Sequence, residues 1–456
     1  MHVRGSAQSA HRSFGWGILL AAGLCLAPAG AAAQEWLRDR RATEGPGIML
    51  SDSVVFHAGI AVEGGYDTNV FYAPSDAAVA GAGRLRITPQ VGLATLPPQR
   101  IENPDGTTTT TNPSVDFRLQ IAAPYNQYLS ADSAVMDQSD VGIQTTLDLV
   151  VFPRRTWSFL LRDTYTRTID PGNNSAPQNF NRDMNDAQLG VGWAPGGGTL
   201  ELNLLAGFGF NLYETGGDTS VRGDYLSPRA DLVGRWRFFP NTALTFQTTF
   251  SPVLRDNGED AMGIAVSSSY PVRSWIGMNG QWTPIIATQL RVGYGAGFYD
   301  LGEDFESVIG QAEIDFIIGG SGRLKLGFIR DFVDSYFSNF YVRNEGYVGW
   351  DHLFSGVFLI GTKVGVSYDQ YATTYQQDGT IFNNGRYVNQ SQRNDVRLTG
   401  SLFAEYRLKD WLGFNATLTY EQNFTDFASG DSTAPGGLTS EAYWKLTALA
   451  GARVIY

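Results

Sequence analysis

Charged side chains recur at every second position in several stretches of the chain. Around residue 230, Arg229, Asp231 and Arg235 occupy odd positions, whereas Leu232 and Trp236 occupy even ones. A period of two places the two sets on opposite faces of a β-strand. Such a strand presents fixed charges to one side and an apolar surface to the other. A wall of fixed charge can concentrate ions of the opposite sign.

The same parity rule selects a charged face along most of the chain. We expect this face to line an enclosed, aqueous lumen. The candidate lumen-lining residues are Arg84, Arg86, Arg118, Arg162, Arg229, Arg235, Arg237, Arg291, Arg323, Lys325, Arg343, Arg397, Arg407, Glu313, Asp315 and Glu405.

The sequence offers no catalytic constellation. Only His57 and His352 remain after residue 33, and no serine has an evident general base. The acidic loops lack the spacing of a calcium-binding loop, and no phosphate-binding glycine motif opens a helix. We therefore predict no catalytic residue, no metal site, no cofactor and no enzymatic activity.

The elements that must position these charges are long alternating strands. Short turns rich in Pro, Gly, Asn and Asp alternate with longer polar loops, which is the rhythm of an outer-membrane barrel. We predict an all-β fold, a transmembrane antiparallel β-barrel of about 18 strands with both termini in the periplasm. The predicted strands are 54–65, 84–94, 114–123, 143–152, 155–168, 185–194, 199–213, 225–239, 242–254, 270–282, 288–300, 305–318, 322–333, 339–353, 356–368, 392–408, 411–424 and 441–456.

The last predicted strand ends on an aromatic residue. Its outward set is apolar and includes Trp444, Val454 and Tyr456, whereas Lys445 and Arg453 lie on the other face. This ending resembles the C-terminal signal by which barrels are recognised for assembly. We therefore predict an interaction with the barrel-assembly machinery.

Composition and the N-terminus predict the location. Residues 1–33 carry a basic start, an apolar run and small residues at 31–33, which together indicate a cleaved secretory signal peptide. Residues 34–52 would form a short periplasmic segment, and 53–456 the barrel. Charged residues are only 17% of the chain and aromatic residues 13%, which fits an integral protein of the Gram-negative outer membrane in contact with lipid and lipopolysaccharide.

The overall net charge of −12 argues against nucleic acid as a partner. The predicted lumen is nevertheless richer in Arg and Lys than in acids, which suggests a path for an anionic solute. The alternative is that the charges pair across strands and only keep the lumen wet. Infolded loops at 170–182 and 369–390 are candidates for a constriction. Tryptophans near strand ends, among them Trp157 and Trp275, are expected in interfacial girdles.

One segment resembles a known family. From His57 to Phe71 an alternating strand runs into Tyr66, Asp67, Asn69, Val70 and Phe71, similar to the opening strand of the β-barrel porin 2 family. From the residues alone, Asp67 and Asn69 are expected to shape the first outer turn.

The resemblance implies a conduit that exports an exopolysaccharide across the outer membrane. It also implies a polysaccharide substrate and periplasmic polysaccharide-export proteins as partners. Two alternatives remain open: a general or anion-preferring diffusion porin, and a structural or adhesive barrel.

Overall fold

The computed structural model describes residues 45–74, 79–96, 100–102, 108–110, 113–169, 181–214, 223–256, 258–259, 265–335, 338–376, 378–381, 393–425, 427–430 and 438–456. The predicted signal peptide and most of the predicted periplasmic segment lie outside these residues. In the part of the chain so described, no helix is long and apolar enough to cross a membrane.

The chain forms a closed antiparallel barrel of eighteen strands, which confirms the predicted fold class. We number the barrel strands β1 to β18 in chain order. They are Val54–Asp67, Ala82–Thr95, Val115–Ala122 with Tyr125–Leu129, Asp140–Val141 with Ile143–Val151, Trp157–Thr168, Arg182–Trp193, Leu200–Tyr213, Tyr225–Phe239, Thr242–Phe250, Ser269–Thr283, Ile286–Tyr299, Phe305–Ile318, Gly322–Asp334, Phe340–Phe354, Phe358–Tyr371, Asn394–Lys409, Leu412–Thr425 and Tyr443–Ile455.

Strands β3 and β4 are each interrupted without a change of register. Ala122 pairs with Gln90 and Tyr125 with Ile87, so the pairing of β3 with β2 continues through the break. Pro124 lies in this break, and proline has no N–H to donate to a neighbouring strand. Its carbonyl still accepts a hydrogen bond at 2.8 Å from the N–H of Gly142, the residue that interrupts β4.

Smaller elements decorate the barrel. The short strand Ile48–Ser51 pairs with the start of β1, so the predicted periplasmic segment extends the sheet. A four-residue helix, Ser133–Met136, follows β3, and a 3-10 turn spans Pro195–Gly197. The remaining short hairpins are Arg100–Glu102 with Thr108–Thr110, Gly258–Glu259 with Ala265–Val266, and Ala428–Gly430 with Leu438–Ser440.

The two faces of the wall differ as the sequence parity predicts. In β1, Ile60 and Val62 are more than 40% exposed on the outside, whereas Glu63 is 1% exposed on the inside. Large apolar side chains are exposed on the outer face of the other strands as well, for example Leu189 and Leu204. A closed barrel with an apolar outer belt leaves its backbone fully paired in lipid, so the fold is a transmembrane one.

Aromatic rings gather beside the short turns at one end of the barrel. Trp157 lies 6.3 Å from Trp193, and Trp236 lies 5.9 Å from Phe238, measured between ring centroids. This position fits the predicted interfacial girdle. Trp275 does not belong to it, because it faces inward and is only 8% exposed. The girdle prediction for Trp275 is therefore wrong.

The barrel closes where β1 pairs with β18. The pairing runs from Gly59 opposite Ile455 to Asp67 opposite Thr447. The strands approach so closely here that a Cβ added to Gly65 would lie 1.8 Å from the Ala448 carbonyl oxygen. The neighbouring Gly64 has no atom within 4 Å of an added Cβ. Of these two adjacent glycines of β1, only Gly65 is therefore required for the close approach, and Gly451 on β18 has the corresponding role, since its added Cβ would lie 2.0 Å from the Val62 carbonyl oxygen.

This difference generates a stability prediction. We expect Gly65→Ala to weaken closure by about 1–3 kcal/mol or more, because overpacking against backbone forces the strands apart. Gly64→Ala is the matched control and should behave like the wild type. Heat-modified mobility on gels, followed over a temperature series, measures the difference. Equal melting of the two variants would contradict the role of this contact.

Candidate functional site

The inner wall is the candidate functional site, and its charges are largely arranged in pairs and triads. The pattern begins at the seam, which is the pairing of β1 with β18 that closes the barrel. The Glu63 carboxylate accepts a hydrogen bond from Arg86 Nε at 2.7 Å, and both side chains are at most 1% exposed. Asn415 on β17 donates its amide to the other oxygen of Glu63. A buried carboxylate is stable only with such partners.

A second group lies on β16 and β18. The Glu405 side chain is fully buried and is shared by Arg407, at 3.0 Å, and Arg453. On β14 to β16, Arg343 makes a bidentate contact with Asp369, both distances being 2.9 Å, and Arg397 approaches the same carboxylate at 3.9 Å. The Asp369 group ties three strands together through side chains, and the Glu405 group ties two.

The opposite side of the wall repeats this arrangement. Arg229 contacts Asp231 at 2.6 Å and Asp186 at 3.1 Å. Glu201 is shared by Arg235 at 2.7 Å and Arg237 at 3.3 Å. Arg229 on β8 thus reaches across β7 to Asp186 on β6, whereas Glu201 on β7 pairs with the adjacent strand β8.

More loosely held charges lie on β11 to β15 and near β4. Arg323 is 3.8 Å from Asp315, and the Arg323 side chain is 52% exposed. Lys325 lies directly opposite Asp315 in the register. Glu313 accepts a hydrogen bond from the Tyr347 hydroxyl, and Arg291 lies 4.3 Å from the centre of the Trp275 ring.

The predicted residues of β2, β3 and β5 belong to the same wall. Arg84 donates to the Asn126 side chain at 3.3 Å and lies over the Tyr128 ring. Arg118 lies opposite Asp148 in the register, and Arg162 is 3.9 Å from that carboxylate. The inward arginines are thus matched in part by inward carboxylates, three of which are shared by two arginines each. The arrangement favours the alternative of cross-strand pairing over an open basic path.

The motif that resembles a family forms a clip at the outer end of the seam. The Asp67 carboxylate accepts a hydrogen bond from the Asn69 N–H at 3.0 Å, as in an Asx turn. The Asn69 side-chain oxygen accepts a hydrogen bond from the Ala73 N–H at 2.7 Å, and its amide nitrogen donates to the Trp444 carbonyl at 3.1 Å. Lys445 Nζ lies 3.0 Å from Asp67. The turn is therefore joined to the last strand as well as to itself.

The apolar residues of the motif secure the same turn. Val70 is fully buried in a cluster with Ala82, Tyr128 and Val135, and Phe71 packs against it. Tyr66 faces outward and is 52% exposed. These contacts give the motif a structural role at the first outer turn.

The residues predicted to form the assembly signal lie at the two ends of β18. Trp444 is outward-facing near its outer end, and Val454 and Tyr456 are exposed near the periplasmic end. The Tyr456 backbone exchanges two hydrogen bonds with Ala58, at 2.8 and 3.1 Å. The final residue is therefore part of the closing ladder.

An inward-turned segment was missed by sequence reasoning. The outer ends of β13 and β14 pack against the inside of β10 to β12. Phe332 is fully buried and stacks on Phe305 with centroids 4.2 Å apart. Arg273 Nη2 donates to the Phe332 carbonyl at 2.7 Å, and Arg273 also contacts Asp331 at 3.2 Å. The alternation of β13 breaks after Phe328, because Ile329 falls on the inner parity and Arg330 on the outer one, and this break is the one sequence signal of the turn.

The loops predicted to constrict the lumen are only partly described. The candidate at 170–182 lies outside the described residues except for Asn181 and Arg182. In the candidate at 369–390, the Thr373 hydroxyl donates to Glu303 at 3.0 Å, and Ala265 N donates to the Tyr375 carbonyl at 3.0 Å. Burial, followed by the Glu303 carboxylate, raises the pKa of Tyr375. This loop therefore contacts the loops beside β10 and β12.

Among the residues that the structure describes, no group of three or more His, Cys, Asp or Glu side chains is arranged to hold a metal ion.

Comparison with known proteins finds distant structural similarity and no matching family. No family model matches the chain, and no curated protein matches it. Similar solved structures include OccAB4 from Acinetobacter baumannii (10% identity, 88% of this chain and 98% of that one, TM-score 0.47). They also include a BenF-like porin from Pseudomonas fluorescens (10% identity, 90% of this chain and 100% of that one, TM-score 0.47). A third is Pseudomonas aeruginosa OpdK with vanillate (11% identity, 88% of this chain and 99% of that one, TM-score 0.45). Overlap at this level carries no information on what this chain transports.

The buried seam charges generate a second prediction. Glu63→Gln should destabilise the barrel by about 3–5 kcal/mol, because it removes the buried carboxylate that pairs with the buried Arg86. Asp315→Asn is the matched control: its partner Arg323 is half exposed, so water screens the loss to below about 1 kcal/mol. Urea unfolding in detergent micelles measures both. Equal unfolding midpoints for the two variants would contradict the expectation that the Glu63–Arg86 pair stabilises the barrel more than the Asp315–Arg323 pair does.

Proposed function

We propose that the protein is a passive diffusion channel of the Gram-negative outer membrane for small hydrophilic solutes. A barrel of eighteen strands is wide enough to enclose water. Its inner wall is polar and its outer face apolar, which is the arrangement of a porin. On this proposal the protein is not an enzyme, and lipid and lipopolysaccharide surround it.

The observation that carries the proposal is the inward turn of β13 and β14. It places Phe332 and Phe340 inside the wall formed by β10 to β12, where Tyr299 stacks on Phe340 at 5.6 Å. This second layer takes space from the lumen while leaving the rest of the wall polar. A narrowed, polar lumen suits solutes of small size better than a polymer chain.

The pairing of charges predicts weak ion selectivity. Carboxylates that pair with the inward arginines offset much of the positive field along the path, so neither sign of ion is strongly favoured. This supports a general diffusion porin over an anion-selective one.

Export of an exopolysaccharide remains a prediction that rests on the family resemblance. No contact among the described residues favours it over diffusion. A deletion strain tests it directly: the export reading requires surface polysaccharide to be lost, whereas a diffusion channel leaves its secretion intact.

Conductance in planar bilayers tests the proposal. We expect stable channel steps and a reversal potential near zero in a salt gradient. Asp315→Asn should shift selectivity toward anions, because it frees the charge of Arg323 and leaves Lys325 facing an uncharged residue. Asp410→Asn removes the same charge from an exposed turn and is the matched control. Absence of channel steps in the wild type, or equal reversal potentials in the two variants, would count against the proposal.

A further inference from the structure

The β12–β13 pairing ends before either strand does. The last pair is Gly310 opposite Arg330, yet β12 extends to Phe305 and β13 to Asp334. Beyond this point the Arg330 side chain replaces a backbone partner, since its Nε donates a hydrogen bond to the Val308 carbonyl at 3.3 Å. One edge of β12 is thus left without its neighbouring strand at the outer end.

The separated end of β13 is held at a specific place inside the barrel. Its Phe332 ring packs directly on two glycines of β11. A Cβ added to Gly295 or to Gly297 would lie 2.8 Å from an atom of that ring. Asp334 accepts hydrogen bonds from the Ser269 and Tyr299 hydroxyls, both at 2.8 Å. The guanidinium of Arg273 lies 4.0 Å from the Phe332 ring centre.

The sequence of β13 also fits regular pairing with β12. Extending the observed register places Phe332 opposite Val308, on the outer face that already carries Leu326 and Phe328. Asp331 would lie opposite Ile309 and face the lumen. An apolar ring that faces lipid and a carboxylate that faces water both suit a barrel strand. Phe332 and Asp331 therefore suit both arrangements of the strand end, whereas the paired arrangement would place Asp334 opposite Glu306 on the outer parity at the rim.

The two arrangements use different interactions. The inward one buries Phe332 and engages Arg273, Ser269 and Tyr299. The paired one would supply ladder hydrogen bonds to the free edge of β12 and remove the second layer from the lumen. Bistable packing of this kind is what allows a small local change to become a switch.

We propose that the outer ends of β12 and β13 zip and unzip reversibly, and that this motion gates the channel. The gating part rests on the proposed function as a diffusion channel. The inward state narrows the path, and the zipped state widens it by returning Phe332 to the outer face.

Cysteine pairs test the zipper, in a chain whose single cysteine, Cys25, is replaced by serine. Ser307→Cys with Val333→Cys can cross-link only when the strands zip, because these positions oppose each other only in the extended register. Gln311→Cys with Ile329→Cys is the matched control, since these residues already face each other. Ser269→Cys with Asp334→Cys captures the inward state.

We expect all three pairs to form disulfides under mild oxidation. Conductance should rise above the wild-type value for the 307–333 pair, fall for the 269–334 pair and stay unchanged for the control, and reductant should reverse both changes. Cross-linking of the control without any at 307–333 would overturn the zipper. Cross-linking at 307–333 with wild-type conductance would overturn the gating. A wild-type protein without channel activity would instead remove the proposed function and leave the cross-linking result standing.

Discussion

The pairing of β1 with β18 is the constraint on which the rest of the structure depends. In lipid, each backbone N–H and C=O needs a partner within the protein, and only a closed ladder provides one for every strand. The seam is correspondingly well built. Gly65 lets the two backbones approach, Tyr456 carries the ladder to its last residue, and Lys445 joins the first turn through Asp67.

Closure also determines where buried charge can be tolerated. A carboxylate inside the wall is costly unless it is paired, and the partner must come from a strand whose register is already set. Glu63 with Arg86, and Asp369 with Arg343, meet this condition. The pairs in turn penalise a register slip, because moving one strand by a residue would send the charge to the lipid face.

The inward end of β13 is a departure from this regularity. It leaves an edge of β12 unpaired with its neighbour and gains an aromatic cluster on the inside of the wall. The glycines at 293, 295 and 297 make room for that cluster, so the departure is accommodated by the neighbouring strand. A uniform pore thereby becomes a lumen with one specialised side.

The sequence by itself determined the strands, their faces and most of their turns. Period-two alternation is a local property, and the parity that places Leu204 outside and Glu201 inside can be read without knowing any neighbour. The Asp67 and Asn69 turn is likewise local. Only the tertiary structure decided which charges meet, because Glu63 and Asn415 are 352 residues apart and their contact depends on closure. It also decided the inward turn of β13, since the break in alternation at Ile329 and Arg330 does not specify which strands the end of β13 packs against.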